Sequence, residues 1–183
     1  MNATSAVTIL TACGRSCRLK EGKSVHGALI RMSMDVTLII GTSLIDMYSE
    51  SIHGNPKHAL QLFDKMLKPP NNDITPDEVT YIGVLCACTR ESMLEEGQNH
   101  FLEMTKRFNI NPSFAHYWCM ASLYANHGLV KEAVEFLKNM PVDVGLSPQS
   151  SLWAGLLGSC RFNDDVVTGE QIAKALIKDD PFK

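Results

Sequence analysis

Several patterns are missing from this 183-residue chain, and each absence removes a class of function. Its six cysteines (13, 17, 86, 88, 119 and 160) contain no Cys-x-x-Cys pair, and no histidine is followed two residues later by glutamate. A zinc site of that design has no ligand set here, and metal-assisted hydrolysis no proton carrier. No run of ~18 apolar residues occurs, so nothing reads as a membrane span. Strong charge is also lacking: 17 basic residues face 20 acidic ones, a net −3 with pI near 6.0, which gives no global reason to expect nucleic acid. The opening residues MNATSAVTIL lack the Arg-rich amphipathic character of a transit peptide and the charged start of a secretory signal. No targeting segment, cofactor site or small-molecule substrate site is expected from this sequence.

What is present is repetition. Proline recurs at 76, 112, 148 and 181, and a proline disfavours helix at the residue before it, so it divides helical units naturally. Moving the first hairpin forward by 75 residues lands Leu10, Ala12, Cys13, Leu19, Glu21 and Gly22 on Leu85, Ala87, Cys88, Leu94, Glu96 and Gly97. A third copy carries Trp153, Leu156, Leu157 and Cys160 followed by Gly169, with the same nine-residue step from cysteine to glycine. A glycine early in each second helix points to a close helix approach that excludes a side chain.

A second unit type lies between these copies. Tyr48, the pair Ala59 and Leu60, and Met66 match Tyr124, the pair Ala133 and Val134, and Met140. Units therefore start near residues 3, 38, 78, 114 and 150, and the expected fold is all-α, a right-handed α-solenoid of about five stacked helix-turn-helix hairpins. The first break is expected at residues 14–16, and loops at 49–53, 68–73 and 141–148. Cys13, Cys88 and Cys160 occupy one equivalent place, which reads as reduced, buried thiols packing as small hydrophobes.

The segments PDEVTYIGVLCAC, LEEGQNHFLEM, GTSLIDMY, HALQLFDKM and LWAGLLGSCR resemble the plant pentatricopeptide repeat family, in its subclass of alternating long and short repeats. On that resemblance residues 3–37, 38–77, 78–113 and 114–149 form four repeats, and 150–183 is similar to the start of the E domain that follows them. The resemblance implies binding of single-stranded organellar RNA, in mitochondria or chloroplasts, commonly to mark a cytidine for C-to-U editing. It implies base contact by the fifth and last residue of each repeat: Val7 and Thr37, Thr42 and Asp77, Ile82 and Ser113, Trp118 and Gln149. Thr42 with Asp77 resembles a base-reading pair that favours a purine, usually guanine, whereas Val7 and Ile82 resemble the apolar residues of long repeats that read poorly. Trp118 departs from the small residue usual there; it stacks on a base or packs between helices.

The family's catalytic version carries a zinc deaminase whose motifs are absent, so the expected partners are a deaminase in trans and editing cofactor proteins. A protein-interaction scaffold is the alternative reading, favoured by an acidic middle in which residues 36–149 hold 8 basic against 13 acidic side chains. A truncated remnant without RNA binding is the third. The unit at 38–77 is oversized and reads as helix A of one repeat fused to helix B of the next, about one repeat length having been lost between them.

Overall fold

The structure is a computed structural model that describes residues 2–50, 55–68 and 74–141, together with residues 170 and 174. Gln149, the third copy with Cys160 and Gly169, the expected hairpin over 150–183 apart from residues 170 and 174, and the expected loops at 51–53, 69–73 and 142–148 lie outside the described residues. Eight helices are present among those described: α1 (Ala3–Arg15), α2 (Leu19–Arg31), α3 (Leu38–Glu50), α4 (Pro56–Met66), α5 (Glu78–Glu91), α6 (Leu94–Lys106), α7 (Phe114–Asn126) and α8 (Val130–Lys138). They pair into four hairpins, and α1, α3, α5 and α7 pack in succession against one another. These four form a continuous inner layer; α2, α4, α6 and α8 each lie on the outside, and α2, α4 and α6 also touch the next inner helix. None of the described helices is long and apolar enough to cross a membrane.

Local chemistry sets each start. Asn2 caps α1 by accepting from the Ser5 N–H at 2.8 Å, and Asn55 caps α4 with Pro56 at the first helical position. Asp77 and Ser113, each directly after a proline, cap α5 and α7. The turns are equally regular. Arg18, Met93 and Leu129 donate their N–H to the carbonyls of Cys13, Cys88 and Tyr124 at 2.8, 2.9 and 3.0 Å, the six-to-one bond of a Schellman end. The residue that makes this bond possible is left-handed in all three turns, Cys17, Ser92 and Gly128, with φ of 54°, 53° and 72°. Helix α1 runs through Gly14 to Arg15, so the break falls at Ser16 to Arg18 and not at Gly14, because the left-handed residue that ends the helix is Cys17.

Inner helices are apolar on two sides because they meet neighbours on two sides. In α3, Ile40, Leu44, Ile45, Met47 and Tyr48 are all buried. Outer helices bury one stripe only, as Ala59, Phe63 and Met66 do in α4. Gly22 and Gly97 serve the close approach that their spacing suggests. A Cβ on Gly22 would stand 2.6 Å from Met47 Sδ, and one on Gly97 would overlap Leu123 Cδ2. Ser49 is helical and buried, not part of a loop, since its hydroxyl donates to the Gly83 carbonyl at 2.9 Å across the α3–α5 contact.

Candidate nucleic-acid interface

The register of the inner layer places the expected base-facing residues equivalently. Val7, Thr42, Ile82 and Trp118 are each the fifth residue of an inner helix, and Thr37, Asp77 and Ser113 each stand immediately before one. Thr37 is exposed, and its Oγ1 lies 3.5 Å from the Ile40 N–H. Ser113 pairs with His116, whose Nδ1 accepts from the Ser113 N–H at 3.0 Å and lies 2.8 Å from its hydroxyl. His116 Nε2 sits 2.9 Å from the Glu78 carbonyl and donates to it, so the imidazole is neutral with its proton on Nε2. Burial holds its pKa below the ordinary histidine value, and the residue is 0 % exposed. His116 is thereby committed to joining α7 to α5.

Thr42 and Asp77 meet through a residue that spacing alone did not single out. Thr80 Oγ1 donates to Asp77 Oδ1 at 2.7 Å, and the Thr80 N–H donates to the same oxygen at 2.8 Å. Thr42 Oγ1 lies 2.7 Å from Thr80 Oγ1. With the single Thr80 hydroxyl proton already given to a carboxylate, Thr42 must be the donor in that contact. Thr42 therefore turns its proton inward and keeps only lone pairs for anything else. It is 8 % exposed, so an approaching group reaches it edge-on between α3 and α5. A threonine three residues after an N-cap was the available signal for Thr80, since that spacing makes a capping box.

Val7 and Ile82 are half-buried and pack against neighbouring apolar clusters. Trp118 is also half-buried and packs against the cluster of Ala121, Ala125, Val130, Ala133 and Leu137. One turn before Thr42 and Ile82, on the same helix face, Ile39 and Val79 are 64 % and 44 % exposed. At the other end of these helices an open cleft of about 300 Å³ is lined by Gly14, Arg15, Cys17, Ser49, Cys86 and Arg90. Its two guanidinium side chains come from α1 and α5, on either side of α3, each in the last turn where a cation is favoured.

Comparison with known proteins agrees with this geometry. The profile described as PPR repeat matches residues 42–68, 79–107 and 119–143. Pentatricopeptide repeat-containing protein At3g51320 of Arabidopsis thaliana is 41% identical over 98% of this chain and 39% of its own length. Two further Arabidopsis relatives, At2g22410, mitochondrial, and At3g22150, chloroplastic, are each 30% identical over 94% and 100% of the chain and 28% and 25% of their own lengths. The chain thus spans well under half of the curated relatives it matches. The alignment to At3g51320 runs over 209 positions while covering 98% of 183 residues, which leaves roughly 30 positions without a residue here, close to one helical repeat. Among solved structures, the pentatricopeptide repeat protein PPR10 from maize superposes with a TM-score of 0.77 at 21% identity, over 97% of this chain and 24% of that one. The same protein in complex with an 18-nt psaJ RNA element gives 0.72 at 19%, over 94% and 24%. With its hairpins in one register and relatives aligned along nearly its whole length, this chain belongs to the pentatricopeptide repeat family.

Proposed function

We propose that the chain binds single-stranded RNA along its inner layer, as part of an organellar RNA-processing factor that specifies a C-to-U editing site and relies on a deaminase in trans. The observation that carries this reading is the Thr42–Thr80–Asp77 set. The Thr42 oxygen, with its proton given to Thr80, and the second Asp77 carboxylate oxygen are both hydrogen-bond acceptors. The base edge that complements two acceptors carries adjacent donors, as guanine does at N1 and N2, and single-stranded RNA presents that edge openly. Exposed Ile39 and Val79 supply apolar surface for the faces of a base beside the polar pair. Arg15 and Arg90, at the cleft, supply positive charge for the phosphate backbone.

Val7 with Thr37 and Ile82 with Ser113 offer no comparable donor–acceptor set, so they space the reading position. Trp118 contributes a partly open ring, and its partner at the end of that repeat is Gln149. The roughly 30 positions missing against At3g51320 amount to about one repeat, and a repeat lost between α3 and α4, where the unit at 38–77 is oversized, would have brought Thr42 and Asp77 together from two ancestral units. Relatives named mitochondrial and chloroplastic support an organellar site of action.

The test is a titration of short RNAs carrying each of the four bases at one position in a uniform background, at about 50 and about 200 mM salt. Binding that weakens with salt and favours guanine, with the preference lost in Thr42→Ala and Asp77→Ala, is the expected result. Absence of binding at low salt refutes the RNA reading; partners recovered from organelle extract after RNase treatment would then favour the scaffold reading.

A further inference from the structure

A pair of thiols on the inner layer belongs to none of the base-reading positions. Cys86 of α5 and Cys119 of α7 come from successive hairpins, and their sulfurs are 3.4 Å apart. Cross-helix hydrogen bonds next to the pair fix this opposition. Thr89 Oγ1 shares its proton between the Leu85 carbonyl at 2.8 Å and the Cys119 carbonyl at 3.1 Å, and Asn126 Nδ2 donates to the Thr89 carbonyl at 3.2 Å, so α5 and α7 are tied in register beside the sulfurs. The two thiols differ in access. Cys86 lines the open cleft beside Arg15 and Arg90, whereas Cys119 is 6 % exposed.

We propose that Cys86 and Cys119 form a site of reversible oxidation, closing to a disulfide between successive repeats when a peroxide enters the cleft. A disulfide sulfur–sulfur distance is near 2.05 Å, so closure asks for side-chain rotation and a small approach of the two helices, not rearrangement of the fold. The sequence of bonds follows from the access difference. Cys86, as thiolate, attacks one oxygen of hydrogen peroxide; the O–O bond breaks, the second oxygen leaves as water with the proton given up by the thiol, and Cys86 becomes a sulfenic acid. Cys119 sulfur then attacks the Cys86 sulfur, the S–O bond breaks, and that oxygen leaves as a second water with the Cys119 proton. Two thiols have given two electrons to one peroxide.

Burial raises the pKa of Cys88 to about 12, and the hydrogen bond with Cys86, together with burial, holds Cys119 well above the ordinary thiol value. Cys88 is fully enclosed and stays reduced, and Cys119 enters only in the second step, when its neighbour has become electrophilic. Arg15 and Arg90 line the cleft through which a peroxide reaches Cys86. The cross-link would fix the spacing between the fifth positions of α5 and α7, Ile82 and Trp118.

The test uses the full chain, exposed to hydrogen peroxide and then alkylated and mapped by peptide mass spectrometry. The expected product is one disulfide joining the Cys86 and Cys119 peptides, reversed by dithiothreitol, formed also by Cys88→Ser and missing from Cys86→Ser and Cys119→Ser. Oxidation should raise the melting temperature of the wild type and leave that of Cys86→Ser unchanged. Recovery of both cysteines alkylated after oxidation overturns the proposal, as does a cross-link that pairs Cys86 or Cys119 with Cys13, Cys17, Cys88 or Cys160 instead. The wild-type map decides on its own, so the outcome does not depend on how the serine variants fold.

Discussion

Replacing Gly97 with alanine tests whether the close approach of α6 to α7 sets the pitch of the stack. In an ordinary helix interior the change should stabilise by up to ~1 kcal/mol, because alanine is the better helix former. Here the new methyl would overlap Leu123 Cδ2 while resting in ordinary contact on Cys88 Cβ at 3.5 Å, and Leu123 is 0 % exposed, so its side chain has no open space to turn into. Overpacking of this kind costs ~1–3 kcal/mol, so the net expectation is a loss of about 1 kcal/mol and a melting temperature lower by about 3 °C. Gly27→Ala is the internal control. Its methyl would meet only Arg31 Nη1, the end of an exposed flexible side chain, at 3.3 Å, so that variant should gain stability. Urea and thermal unfolding of wild type, Gly97→Ala, Gly27→Ala, Leu123→Ala and the Gly97→Ala/Leu123→Ala pair complete the measurement. In the Leu123→Ala background the methyl has space, and Gly97→Ala should become neutral or stabilising. If Gly97→Ala alone is as stable as Gly27→Ala, the packing argument for the recurring glycines is wrong.

Asp77→Ala should cost about 1 kcal/mol through loss of the α5 cap, which urea unfolding will read. Thr80→Val keeps the shape of that side chain but frees the Thr42 proton; RNA titration should show guanine preference reduced with overall affinity retained, and an unchanged preference would remove Thr80 from the reading set. Burial holds His26 and His116 below the ordinary imidazole value, so the unfolded chain binds protons first as pH falls; stability should be full above about pH 6.5 and decline below it, with a shallower decline in His26→Gln. Trp118→Ala should lower the melting temperature through its contact with the α7–α8 cluster, and its effect on RNA affinity at low salt separates stacking from packing alone.

The repeat register was legible because its markers are local. Pro76 and Pro112 stand directly before the N-caps of α5 and α7, and residues such as Leu10 and Leu85 recur at one offset, so the four inner helices among the described residues start at or next to the expected positions 3, 38, 78 and 114. Glycine spacing likewise located the tight contacts at Gly22 and Gly97. What spacing does not encode is which side chains meet between successive inner helices. Thr42 and Thr80 are 38 residues apart, Ser49 reaches a carbonyl 34 residues on, and the two sulfurs are 33 apart. These contacts depend on how one hairpin is rotated on the next, and that rotation is fixed by packing volume and not by any local pattern. Gly14 misled for a related reason: a small residue inside a helix and a helix end look alike until the left-handed Cys17 is seen.

The asymmetry between the two layers has a mechanical consequence. Inner helices pack closely on one another along the whole described row, while successive outer helices stand further apart and meet through side chains, among them the ring pairs His26–His58, Phe63–His100 and Phe101–Phe136. A strip built this way bends about its continuous side, with the neutral line of bending lying in the inner layer. Curvature then costs less than stretching, since outer helices spread or close by sliding these side-chain contacts, whereas lengthening the inner row would part its packed helices. A polymer laid against that row meets stations at fixed intervals even while the strip flexes around it.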